Sequence, residues 1–472
     1  MTLNIFSDNK LGSRANPPGA WKPLRRWAQV LTAPVERFLH IQASSGIILM
    51  LAAAVALIWA NSQWSHLYHS LWHTPLGFRL GNLSFERDLH FWINDGLMAI
   101  FFFVIGLEIR REIHQGELSE MRRAALPLFA ALGGMVVPAG VFIMLNQGLV
   151  TAQGWGIPMA TDIAFAVGVM ALLGKRISPA LRIFLLTLAV VDDIGAILII
   201  AIFYSAELST LGFALAAIGI LFIFLMQKLG IRSPWAYLAP ALITWGGTYA
   251  AGIHPTIAGV VVGLMTPVRA WLETDQFLDI AETKVHKIRH MKNRDEAALL
   301  PHLSQLNTAR KEAVSPVERI QQGLHGWVAF IIMPLFALAN AGVPFGEASL
   351  ANDGFNVFWG VMFGLILGKP VGVFLFSWLA VQLKIARLPT GVKWRGIFFV
   401  GLCAGIGFTM AIFIAQLAFT SGQTLETAKL AILCASGLAA GLAFATGLIL
   451  LKPELADGAA RTESEAEASA DK

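Results

Sequence analysis

The chain has 472 residues and a formal net charge of +5; 56% of its residues are hydrophobic and only 14% are charged, against about 25% charged in an ordinary soluble domain. That deficit argues against a soluble enzyme. The positive excess sits in the loops between apolar runs, a pattern that sets membrane topology and does not call for nucleic acid.

Residues 1–36 carry Lys10, Arg14, Lys22, Arg25 and Arg26 without an apolar stretch. They read as a basic arm, not a cleaved signal peptide. The run from Ile41 to Asn61 then has no charge, and neither do Ala124 to Asn146 or Thr210 to Met226. A helix of about 20 apolar residues crosses the roughly 30 Å hydrocarbon layer while satisfying its own backbone groups. A large soluble helical protein is the competing reading, but such chains rarely stack so many long apolar runs. The pattern predicts an all-α membrane protein with about twelve transmembrane helices. They fall at 41–61, 90–108, 124–146, 157–173, 182–204, 210–226, 234–250, 253–267, 326–343, 356–382, 396–418 and 428–451.

The connecting loops alternate in charge. Arg110, Arg111, Arg122 and Arg123 share one loop and 147–156 has no charge. Lys175, Arg176 and Arg182 follow, then Glu207 alone, then Lys228 and Arg232. Beyond a loop with only Glu347 and Asp353 come Lys384, Arg387, Lys393 and Arg395. The alternation predicts an even number of spans with both termini cytoplasmic.

The sequence thus divides into the basic arm 1–36, a transmembrane domain over 37–452 and an acidic tail over 453–472, expected to be disordered. Within the connection 62–89, Phe78, Leu80, Leu83 and Phe85 flank Gly81-Asn82, which predicts a hairpin over 76–88. Its edge can pair with a second copy to make a homodimer, or it can be a loop without a partner. The stretch 268–325 is rich in both charge signs and reads as a solvated cytoplasmic linker more than a regulatory insert. Cys403 and Cys434 lie in apolar runs and are expected to be small buried hydrophobes.

Charges inside spans are expensive and mark function by default. They are few: Asp95 in WINDGLMAIFFF, Asp162 in PMATDIAFAVG, Asp192 and Asp193 in LAVVDDIGAI, and Lys369 in LILGKPVGV. Adjacent helical residues point about 100° apart, so Asp192 and Asp193 can line one cavity. Paired carboxylates in a low-dielectric site hold protons or a small hard cation on the same oxygens, and that competition is what ion exchange requires. A capping pair is the structural alternative, disfavoured by the mid-span position. Thr161 and Asp162 follow Pro158, which removes a backbone donor, and offer oxygens to loosened backbone or an ion; they can also simply cap a short helix. Lys369, between Gly368 and Pro370, calls for a carboxylate partner more than a snorkelling position. Gly401, Gly405 and Gly407 weaken another span, although close helix packing explains such glycines equally well. Two interrupted helices in different halves point to a transporter site built from an inverted repeat. Glu108, Arg111 and Glu112 form a charge cluster at a span end that either senses pH or is an ordinary solvated terminus. His254 beside Pro255 can titrate near neutrality, or can be a satisfied structural histidine.

The strings WINDGLMAIFFFVIGLEIRRE, PMATDIAFAVG, VVDDIGAI, IHPTIAGVVVG, LFALANAGV, LILGKPVGV and GIGFTMAIFIA occur in order over about residues 40–450. Together they resemble the NhaA family of sodium/proton antiporters, itself a standard case of an inverted-repeat transporter. The resemblance implies an electrogenic antiporter of the bacterial inner membrane, not an enzyme, that exports Na+ or Li+ against protons and is active at alkaline pH. It implies no cofactor beyond the transported ions. It assigns the main ion carboxylate to Asp193 and links Asp192 to Lys369, with Thr161 sharing the transient Na+ site. Two crossing, partly unwound helices are expected, one at Thr161 and Asp162 and the other at Gly405 and Gly407. Asp95 falls in the entry region, and Glu108, Arg111 and Glu112 in the pH-response cluster, to which His254 and His325 are added as candidates. Two departures stand out: Ala404 replaces a frequent Cys, and Gln321-Gln322-Gly323-Leu324-His325 replaces a Glu-His-x-x-His approach, which bears on pH activation. The rival classes are a proton-translocating subunit of a redox complex and a passive cation channel. No cysteine cluster, haem motif or dinucleotide loop supports the first, and isolated midplane charges disfavour the second.

Overall fold

The computed structural model describes residues 44–80, 83–205, 208–291, 296–346, 353–419 and 422–451. The basic arm, the acidic tail, Glu207, Glu347 and the Gly81-Asn82 turn lie outside these residues. The first helices are α1 (Ser44–Ala60) and α2 (Ser65–Trp72), bent by 117° at the break between them. The strands β1 (Pro75–Leu80) and β2 (Leu83–Asp88) then pair antiparallel, with Phe78 opposite Phe85. This is the hairpin expected from the alternating residues around Gly81-Asn82. α3 (Leu89–Gln115), α4 (Met121–Leu145), a 3-10 stretch (Val150–Met159), α5 (Ile163–Leu173), α6 (Pro179–Phe203), α7 (Thr210–Lys228), α8 (Leu238–Ala250) and α9 (Thr256–Met265) follow.

Helices α10 (Thr274–Arg289) and α11 (Glu296–Glu312) come next, ahead of α12 (Pro316–Asn340). The stretch 268–325, expected to be a linker, is therefore largely helical. Its starts carry local signals: Glu273 and Gln276 form a reciprocal capping box, and Ser315 caps the next helix through Glu318 N. The insert is also anchored. Arg232 pairs with Glu312 and stacks 4.6 Å over Trp271, while Trp271 N and Leu272 N both donate to Glu312 O. The chain continues as α13 (Asp353–Gln382), α14 (Trp394–Ala404), α15 (Phe408–Ala418) and α16 (Gln423–Leu450).

Each of the twelve apolar segments contains a helix. By length and composition, seven helices among the described residues can cross a membrane, or ten if each of three bent pairs counts as one span. Prolines explain two of the π-helical turns. Pro370 and Pro334 lack the N–H that a regular helix would use, and π-helical turns at Gly364–Gly368 and Val328–Ile332 precede them.

Small residues set the close packing of α4 on α13. A Cβ on either Gly133 or Gly372 would strike the carbonyl oxygen of the other. The same contact carries Lys369 on α13 into the protein interior. One expectation fails on burial: Cys403 is buried, but Cys434 faces outward from α16, because its helix exposes one side along its length.

Candidate functional site

The 3-10 stretch and α5 are bent by 41° at a short break, and α14 and α15 by 49° at another. The two breaks meet. Asp162 N donates to Ile406 O at 2.7 Å, and a Cβ on Gly407 would lie 3.1 Å from Ala160 O. Gly405 and Gly407 have φ of −66° and −92°, which any residue can adopt. Close approach is therefore their contribution: a Cβ on Gly405 would lie 2.5 Å from Leu365 O on α13.

Each break leaves carbonyls at the end of one helical segment and N–H groups at the start of the next. Asp162 serves the N–H groups of both. Its Oδ1 accepts from Phe165 N at 3.1 Å at the start of α5, and its Oδ2 accepts from Thr409 N at 3.1 Å and from Thr409 Oγ1 at the start of α15. A carboxylate at two helix N-termini also complements both dipoles. Phe408 N is met by Ser436 Oγ at 3.0 Å. On the carbonyl side, Lys369 Nζ donates to Met159 O and Thr161 Oγ1 approaches Ala404 O at 3.0 Å.

Asp192 and Asp193 sit mid-way along α6, which Ser178 caps. Asp192 Oδ2 lies 2.7 Å from Lys369 Nζ and 2.7 Å from Thr161 Oγ1. Its Oδ1 is buried without a hydrogen-bond partner among the described residues. Asp193 is 3% exposed, and none of the described residues gives its carboxylate a hydrogen bond or an ion pair. Glu108, Asp192, Asp162 and Lys369 act on it electrostatically. The neighbours thus differ: Lys369 and Thr161 occupy one oxygen of Asp192, while both oxygens of Asp193 stay available.

The other candidates divide between two places. Arg111 lies 3.6 Å from Glu112 and 3.8 Å from Glu318, and Glu112 also accepts from Glu117 N. Glu318 is a member of this cluster that sequence reading missed; it stands two residues inside α12, just past the insert. His325 is exposed and stands apart from these pairs. Asp95 and His254 form the second group, 3.4 Å apart, with His254 Nδ1 2.9 Å from Thr256 Oγ1. They border an open cavity of about 760 Å3 lined also by Glu86, Arg87, Phe91 and Tyr249. Thr409 and Ser436 were missed as well. Thr409 stood inside the quoted GIGFTMAIFIA string, and an oxygen-bearing residue two positions after Gly407 is the signal that was there to be read.

Residues 36–447 match the Na+/H+ antiporter 1 family. The chain is 54% identical to Na(+)/H(+) antiporter NhaA 2 of Myxococcus xanthus, over 97% of this chain and 98% of that protein. It is also 54% identical to Na(+)/H(+) antiporter NhaA 2 of Sorangium cellulosum, with the same coverage, and 50% identical to Na(+)/H(+) antiporter NhaA of Bordetella petrii, over 94% and 96%.

Proposed function

The chain belongs to the Na+/H+ antiporter 1 family and exchanges Na+ for H+ across a membrane, and we propose that it does so by alternating access with Asp193 as the main ion carboxylate. The observation that carries this reading is the difference within the acidic pair. Asp192 is engaged by Lys369 and Thr161, whereas Asp193 is buried with both oxygens free among the described residues. A deprotonated Asp193 offers oxygen to Na+ or Li+, and a protonated one does not. The two ions therefore exclude each other. The free oxygen of Asp192, Oδ1, is a second ligand, and Thr161 and backbone carbonyls at the breaks complete an oxygen set suited to a hard cation.

In the cycle, the site facing the cytoplasm at alkaline pH releases protons and binds Na+. Turned outward, it releases Na+ and is reprotonated. A ligand shifts only those states it binds unequally, so the carboxylates cross neutralised by either ion. More than one proton per Na+ makes the exchange electrogenic. The remaining assignments belong to the same proposal: twelve spans in an inverted repeat with two unwound crossing helices, both termini cytoplasmic by the positive loops, and a bacterial inner-membrane location. So do alkaline activation through the Glu108, Arg111, Glu112 and Glu318 cluster, and a homodimer paired along the hairpin edge.

The purified chain in proteoliposomes, with no electron donor, is expected to expel protons when Na+ enters. The rate saturates with Na+ and rises when a K+ ionophore relieves the membrane potential. A requirement for an electron donor would point to a redox subunit. Flux that rises linearly with Na+ and carries no proton counterflow would point to a channel.

A further inference from the structure

Three helices repeat one pattern beside the site. On α15, Thr409, which donates to Asp162, is followed at i+4 by Phe413 and at i+7 by Gln416, all on one face. On α12, Phe336 is followed at i+4 by Asn340. On α3, which runs the other way, Asn94 precedes Phe102. The phenyl rings meet: Phe413 lies 5.3 Å from Phe102 and 6.3 Å from Phe336, centroid to centroid. All three are at most 1% exposed. The amides meet as well. Asn340 Nδ2 donates to Asn94 Oδ1 at 2.8 Å, Asn94 Nδ2 donates to Gln416 Oε1 at 3.3 Å, and Gln416 Nε2 donates to Asn340 Oδ1. The third ring neighbour of Phe413 is His254, 5.1 Å away edge to face, and His254 with Asp95 borders the open cavity. Phe413 therefore has the Asp162 crossing one turn to one side, and the cavity-lining His254 and the amide cluster as its other neighbours.

We propose that Phe413 is the outward gate of the transport site and that the Asn94, Asn340 and Gln416 amide cluster is the latch holding its three helices together while the gate is shut. This rests on the reading of Asp193 and its neighbours as the transport site. A desolvated phenyl layer blocks a hydrated ion by dewetting, and polar groups stand on both sides of it, so moving a single ring joins site and cavity. An antiporter stays coupled only while one side is open at a time. A permanently open gate therefore turns exchange into leak, and an oversized gate stops turnover without touching the ion ligands.

The test uses the full chain in proteoliposomes. Phe413→Ala is expected to raise Na+ entry without proton counterflow at least tenfold over the unmodified protein. Phe413→Trp is expected to slow exchange at least tenfold, while Na+ binding, titrated calorimetrically in detergent, stays within threefold. Gln416→Leu should leak in the same sense as Phe413→Ala, by a smaller factor. Should Phe413→Ala fail to give a monodisperse protein, Phe413→Leu takes its place in the leak assay and Phe413→Trp is unaffected. Tight coupling in the truncated variant together with unmodified turnover in Phe413→Trp overturns the gate. Asp193→Asn run alongside separates the two ideas: lost exchange there with normal Phe413 variants sinks the gate alone, and retained exchange sinks the site.

Discussion

Replacing Lys369 with methionine is expected to destabilise the protein by about 3–5 kcal/mol, the usual cost of removing one partner of a buried ion pair. Lys369 is 0% exposed and Asp192 1%, and their 2.7 Å contact is accompanied by the bond from Lys369 to Met159 O. Methionine has a similar volume, so little packing is lost. What changes is that a carboxylate and a helix-end carbonyl lose their cation in a medium that solvates neither. The destabilisation is checked by thermal unfolding in detergent. The double exchange Asp192→Asn with Lys369→Met should recover more than half of the loss, because asparagine is neutral and its carbonyl still accepts from Thr161 Oγ1. Equal stability of the single and double variants would show that the pair is not coupled in this way.

Asp162→Ala is expected to cost roughly 2–5 kcal/mol, since it removes the cap of two helices at once. The N–H groups of Phe165 and Thr409 both depend on this carboxylate, and both are buried where water cannot replace it. Asp162→Asn keeps one acceptor, so it should serve one helix start and lose about half as much. The same unfolding assay reads both variants, and near-normal stability in Asp162→Ala would refute the shared cap. A transport consequence follows. With its lone pairs committed to Phe165 and Thr409, Asp162 acts in this proposal as a brace for the crossing more than as an ion ligand. Exchange in Asp162→Asn should fall less than in Asp193→Asn.

The sequence made the spans legible because lipid imposes a strong local rule: long apolar runs, with rare charges where they are most expensive. The two breaks carried different local signals, Pro158 at one and glycines that permit close approach at the other. Adjacency could not rank Asp192 against Asp193. Their difference arises from Lys369, more than a third of the chain away, and from Thr161 in the break before α5, and no periodicity reports such contacts. Glu318 was missed for that reason, and so was the amide cluster, whose members Asn94, Asn340 and Gln416 come from three distant segments; Thr409, two positions after Gly407, did carry a local signal. α2, with the polar sequence SHLYHSLW, is too short for a window read. The insert was misjudged because its charge was weighed and its helix starts were not, although the Glu273 capping box and the Ser315 cap are local signals.

The most direct measurement is Na+-driven proton movement by Asp193→Asn in everted vesicles, with Asp192→Asn beside it and expression matched. Asparagine keeps the shape of the side chain and removes the charge that binds Na+ and the group that carries the proton. The expected result is loss of exchange in Asp193→Asn at every pH and Na+ concentration, with a protein that still folds. Normal Na+-driven proton movement in Asp193→Asn would contradict the account.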